Sequence, residues 1–264
     1  GIGYLADIHM DTFTGLDLNV LGLVVSRIFS LMENWVLVAL PMFIFMGLML
    51  DKSGVAQRMM MAMQELFGRV RGGLGITVTL IGIILAASTG IIGASVLSVG
   101  DLFTAAVFPG LMLGVVYLAY ILGLSYFKPE VAPAPEDRRP LTFDVLKEVF
   151  QAIFPPIVLI IAVLGSIFAG VATPTEASGV GALGATLLAL YNKKLSFKVF
   201  HGVLMSSYKT TAYIFAIFIG ATVFSLVLRE LGGDEFISDM LTGLPFGSFG
   251  ILLVILGVVF LLGF

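Results

Sequence analysis

The chain has 264 residues, 59% of them hydrophobic and 12% charged, with a formal net charge of −3 and a mean hydropathy of +1.09. Soluble domains are about half apolar and about a quarter charged, so a water-soluble fold is excluded and lipid must be the solvent for much of the surface. The acidic balance offers no basic field for nucleic acid, and the absence of cysteine removes disulfides, thiolate catalysis and Cys-based metal sites.

The chain opens at Gly1 without Met, which predicts a further N-terminal piece, and shows no secretory signal pattern. Residues 17–32 read as an amphipathic arm in which Arg27 pairs with Glu33 or snorkels to headgroups. Trp35 reads as an interface anchor and Pro41 as a kink inside a spanning helix. Seven runs carry no charge: 34–50, 72–100, 102–127, 149–175, 177–192, 210–228 and 240–264. A span needs about 20 apolar residues, so these runs predict an all-α, polytopic integral membrane protein. Residues 54–69 predict an amphipathic helix with Val55, Met59, Met63 and Leu66 on one face, lying in the headgroup plane. Stretches 141–151 and 196–209 read the same way, with Thr142 and Ser196 as N-caps. The Met cluster at 59–63 reads as lipid-facing or core filler, not a metal stripe.

Residues 128–140, with four prolines and six charges, form an aqueous linker, and Asn192-Lys193-Lys194 a second polar loop. Both carry cations, so both are assigned to the cytoplasmic side, with crossings at 149–171 and 173–191 between them.

Backbone exposed to lipid must be helical, so an interruption at membrane depth marks a protected site. Run 72–100 holds seven glycines and the polar steps Ser88-Thr89-Gly90 and Gly93-Ala94-Ser95. It reads either as a re-entrant hairpin with its tip at 88–95, whose neutral oxygens suit Na⁺, or as a helix whose small residues mark tight packing. The second interruption is 172–179, ATPTEASG. Thr173-Pro174-Thr175-Glu176 fits a capping box with proline at the first helical position. Glu176, the only charge between Glu148 and Lys193, reads first as that cap. An anion at the new helix start, or proton coupling through the carboxylate, is the secondary reading. Residues 48–58 and 226–236 share an apolar triplet, a charged pair and a glycine, an internal repeat of the kind transporters use.

An intramembrane hydrolase would need a base beside Ser88 or Ser95. His9 and His201, the two histidines, read instead as interfacial. No G-x-x-x-x-G-K-[ST] phosphate loop occurs. A passive scaffold subunit is the other alternative, and it has no need of interrupted helices.

In 39–54, ALPMFIFMGLMLDKSG, in 68–95, in 100–114, GDLFTAAVFPGLMLG, and in ATPTEASG, the chain resembles the large membrane subunit of tripartite ATP-independent periplasmic (TRAP) transporters. The resemblance implies an elevator-type transporter with a re-entrant hairpin and inverted repeats, residing as a multi-pass protein in the bacterial inner membrane. It implies symport of Na⁺ with small organic acids such as C4-dicarboxylates or sialic acid, and no cofactor. It also implies a small four-helix membrane subunit and a periplasmic binding protein as partners. On this basis Ser88, Thr89, Gly90, Gly93, Ala94 and Ser95 form the ion and substrate region, with Na⁺ at Ser88, Gly90 and Ser95. Residues 1–127 make the first-repeat portion, with its hairpin at 72–97, and 141–264 the second, opened by Thr173, Pro174, Thr175 and Glu176. The family's Gly-Thr-Leu-Gly…Pro-Pro-Ser loop is missing, and Gly-Ala-Ser runs almost directly into Val-Gly-Asp. The resemblance therefore implies a chain incomplete at both ends and between about Ser95 and Asp101, with a spatial break there.

Overall fold

The computed structural model describes residues 19–67, 70, 72–88, 99–128, 130 and 142–263, and among them the regular structure is entirely helical. The helices are α1 (Asn19–Met32), α2 (Ala39–Lys52), α3 (Val55–Phe67), α4 (Gly73–Ser88), α5 (Val99–Phe127), α6 (Phe143–Phe168), α7 (Pro174–Tyr191), α8 (Phe197–Glu230), α9 (Gly233–Thr242) and α10 (Ser248–Leu262), with a 3₁₀ turn at Trp35–Val38. Among the described residues, three helical stretches are long and apolar enough to cross a membrane: Phe108–Phe127, Phe143–Phe168 and Phe197–Glu230. The α2–α3 pair, bent by 57°, makes a fourth if counted as one. Within the described residues α4 and α10 cover 16 and 15 residues, about 22–24 Å at 1.5 Å per residue.

Two compact units make up the chain, residues 34–214 and residues 1–33 with 215–264. In the first, α7 turns a face of small residues, Ala177, Ser178, Gly181, Ala182, Ala185 and Ala189, into the core. A methyl group on Gly181 would strike Met46 Sδ and press on Val163, and one on Gly184 would strike Leu159. The absent side chains are what let α2 and α6 approach this closely. Since Leu159 meets Gly184 while Val163 meets Gly181, α6 and α7 run antiparallel. Met46, Met49, Leu50, Val163, Ile167, Ala185, Ala189 and Val203 are the centre of this core.

α3 divides its methionines by face. Met59 and Met63 are buried with Ile81, against Leu80, Ile153 and Ile157, while Met60 and Met61 are exposed. Its apolar stripe is thus covered by α4 and α6, which corrects the expectation of a helix laid into headgroups. Stretches 141–151 and 196–209 are also not separate surface helices. They are the first turns of α6 and α8, because nothing at 152 or 210 breaks the helix. Thr142 occupies the N-cap position of α6, and Ser196 caps α8, its Oγ accepting from Val199 N–H at 3.2 Å. Pro41 lies in the first turn of α2, following the 3₁₀ turn. Its missing N–H costs no helical bond there, so it starts the helix and does not kink it.

In the second unit, Arg229 Nε donates to Asp234 Oδ2 at 3.0 Å across the α8–α9 turn. The α2–α3 and α8–α9 turns share one hydrogen-bond register. Ser53 N–H donates to Met49 O, Gly54 N–H to Asp51 O, and Arg58 N–H to Gly54 O. Leu231, Gly232 and Phe236 donate to Val227, Arg229 and Gly232 in the same order. The helices that follow also begin alike: Gly72, Gly75, Ile76 and Gly82 are matched by Gly247, Gly250, Ile251 and Gly257. The faint repeat at 48–58 and 226–236 thus extends through a helix–turn–helix into a glycine-opened apolar helix.

Candidate functional site

The interruption between α6 and α7 is built locally on both sides. α6 ends where Gly170 turns to a φ of +67°. Val171 and Ala172 N–H donate back to Ser166 O at 2.9 and 3.1 Å, which satisfies the last carbonyls. Thr173 then takes extended backbone and Pro174 begins α7. Thr173 Oγ1 accepts from Glu176 N–H at 3.3 Å. The Glu176 carboxylate accepts from Thr173 N–H at 2.8 Å and from the Thr173 hydroxyl at 2.7 Å. Both halves of the capping box are present. The carboxylate therefore stands where an anion would meet the helix start, and it already takes a donor that such an anion would need.

Ser88 is the last residue of α4. Thr89, Gly90, Gly93, Ala94 and Ser95, and with them the tip of the expected hairpin and the expected break before Asp101, lie outside the described residues. At the start of α4 the glycines serve packing. Gly72 has a φ of +77°, and a methyl group there would strike Ser125 Oγ, while one on Gly75 would press on Ile121. His201 stacks on Phe197, with ring centroids 6.2 Å apart.

Sequence reading missed three hydroxyls. In most of these helices a buried Ser or Thr satisfies itself on its own backbone. Ser125 Oγ donates to Ile121 O, Thr186 Oγ1 to Ala182 O, and Thr222 Oγ1 to Phe218 O, at 2.6–2.8 Å. Thr77 Oγ1 on α4, and Ser207 Oγ and Thr211 Oγ1 one turn apart on α8, are buried and make no hydrogen bond among the described residues. Beside this pair, Lys52 Nζ donates to Gly202 O at 3.1 Å and to Ser206 Oγ. An unpaired buried hydroxyl costs about 1–3 kcal/mol, which sets these three apart from the hydroxyls that bond their own backbone. The one signal in the sequence was Ser206-Ser207 and Thr210-Thr211, around the start of the uncharged run 210–228.

The family model of the tripartite ATP-independent periplasmic transporter, DctM component, matches residues 5–102 and 89–264. The chain belongs to this family. Among its relatives are the C4-dicarboxylate TRAP transporter large permease protein DctM of Pseudomonas aeruginosa, 26% identical over 279 residues, and the sialic acid TRAP transporter large permease protein SiaM of Vibrio cholerae, 26% identical over 253. A third is the isethionate TRAP transporter permease protein DctMQ of Oleidesulfovibrio alaskensis, 24% identical over 280. These alignments take in 87%, 75% and 86% of this chain but 64%, 57% and 43% of the respective relatives, so the chain spans about half the length of the proteins it matches. As 87% of 264 residues is about 230, about 50 of the 279 positions aligned with the Pseudomonas permease have no counterpart here. The two matched stretches of this DctM-family chain overlap at 89–102, where the resemblance expects a missing pair of helices.

Proposed function

We propose that this chain is the large membrane subunit of a Na⁺-coupled transporter that takes up small organic anions across the bacterial inner membrane. The observation that carries this reading is the match of the DctM-component model along nearly the whole chain. The relatives are named for C4-dicarboxylate, sialic acid and isethionate. Each of these compounds is an organic anion at neutral pH, which gives the substrate class without choosing a member.

A small four-helix membrane subunit and a periplasmic binding protein complete the system. The binding protein delivers the acid and sets much of the specificity. Residues 1–127 form the first repeat portion and 141–264 the second, joined by the linker 128–140. The matching glycines after the α2–α3 and α8–α9 turns support this division. Na⁺ is held by neutral oxygens around Ser88, Gly90 and Ser95, a ligand set that suits a hard cation. Thr89, Gly93 and Ala94 complete the ion and substrate region. The cap at Thr173 to Glu176 leaves Glu176 a structural role, so coupling does not run through its proton.

The test is uptake into proteoliposomes holding this chain with the small subunit and the cognate binding protein. An inward Na⁺ gradient is compared with an inward proton gradient. Accumulation under the Na⁺ gradient alone is expected. Accumulation under the proton gradient alone would overturn the assignment.

A further inference from the structure

We infer that the lysine-rich α7–α8 loop, which its charge assigns to the cytoplasmic side, is a binding site for an anionic glycerophospholipid. Five cations gather there: Lys52, Arg58, Lys193, Lys194 and Lys198. Two of them are tied into the site by neutral partners. Arg58 donates to Asn192 Oδ1, and Lys52 donates to Gly202 O and Ser206 Oγ. These contacts draw the α2–α3 turn against the α7–α8 loop, and among the described residues neither charge has an ionic partner. Asp51 on the α2–α3 turn, and Asp144 and Glu148 at the start of the antiparallel α6, are the carboxylates toward this end, and among the described residues no ion pair joins them to any of the five. All five side chains are exposed. The cations outnumber the carboxylates at this end, and a net positive surface attracts a phosphate diester.

The surroundings select a lipid over a free anion. Tyr191 and Phe197, on either side of the lysines, are 80% and 85% exposed. Aromatic rings sit at this depth when they face headgroups. From Tyr191 an apolar stripe, Val180, Leu183, Leu187 and Leu190, runs back along α7, opposite its small-residue face, with each side chain more than half exposed. Headgroup, glycerol and acyl chain would thus meet cations, aromatic rings and leucines in that order. An acidic protein segment would match the cations but not the stripe. The proposal is independent of the transported substrate.

The test is native mass spectrometry of the chain released from nanodiscs containing phosphatidylglycerol and phosphatidylethanolamine, together with thermal shifts on adding each lipid. Wild type is expected to retain phosphatidylglycerol and to be stabilised by it selectively. A triple variant, Lys193→Gln with Lys194→Gln and Lys198→Gln, should lose apparent affinity by about a hundredfold. The triple Arg variant should keep it, which separates lost charge from lost folding. Lys209→Gln, far along α8, should change nothing. Undiminished retention by the Gln variant would overturn the inference. So would equal protection by inorganic phosphate, or a protein held on the lysines in place of lipid.

Discussion

Gly54 and Gly232 adopt the same left-handed backbone, with φ of +72° and +75°, at turns whose hydrogen bonds follow one register. Each ends a membrane helix and starts an amphipathic one, and space around each is open. Side-chain volume is therefore not at issue, and backbone conformation alone demands glycine. Gly54→Ala and Gly232→Ala should each destabilise by about 1–2 kcal/mol, with Asn milder than Ala. Gly220→Ala, inside α8 with equally open space, should be neutral or stabilising. Unfolding in mild detergent checks all three, and an equal loss at Gly220 would contradict the assignment.

The capping box makes a prediction about charge. Thr173→Ala removes the hydroxyl that accepts from Glu176 N–H and should cost about 1 kcal/mol, while Thr173→Ser should restore it. Glu176→Gln keeps an acceptor for Thr173 N–H and should cost less. It should also leave the pH profile of uptake unchanged. A shifted profile would give the carboxylate a proton-carrying role.

Met46 and Gly181 lie in direct apposition where α2 meets α7. Gly181→Ala should destabilise by about 1–3 kcal/mol through overpacking, and Met46→Ala by about 2–5 kcal/mol through the cavity it leaves. In the double variant the new methyl occupies space that the methionine vacates. The two losses should therefore sum to less than additivity, by at least about 0.5 kcal/mol. Strict additivity would mean the two helices do not share this contact.

Thr77, Ser207 and Thr211 should behave in the opposite sense to packing residues. Replacing each by its apolar analogue, Thr77→Val, Ser207→Ala and Thr211→Val, removes an unpaired buried hydroxyl and should hold or raise thermal stability. Uptake should nonetheless fall, as expected where stability has been given up for function. Raised stability with unchanged uptake would reduce these hydroxyls to incidental polar atoms.

Legibility in the sequence followed the range of the determining interaction. Thr173-Pro174-Thr175-Glu176 could be read directly because every bond that makes the cap lies within four residues. The α2–α3 turn at Gly54 was legible for the same reason. What depended on distant neighbours was not. Amphipathic stretches 141–151 and 196–209 gave no sign that their helices run on for 26 and 34 residues in all, since a polar face does not end a helix. The stripe of α3 looked suited to headgroups because α4 and α6, which cover it, are invisible to a local pattern. Glycine enrichment in run 72–100 allowed both a hairpin with its tip at 88–95 and tight packing, and local pattern could not show that Gly72 and Gly75 make room for Ser125 and Ile121. Unpaired hydroxyls are a matter of rotamer and burial, which composition does not encode.

Coupling is reciprocal, so an organic acid that rides on Na⁺ must also be able to drag Na⁺ with it. The most direct measurement is the entry of radioactive sodium into proteoliposomes of the assembled transporter, with no Na⁺ gradient and an inward gradient of acid delivered by its binding protein. Acid-dependent sodium entry that is abolished without the binding protein is the predicted result. Acid entry with sodium flux unchanged from the acid-free control would contradict the account.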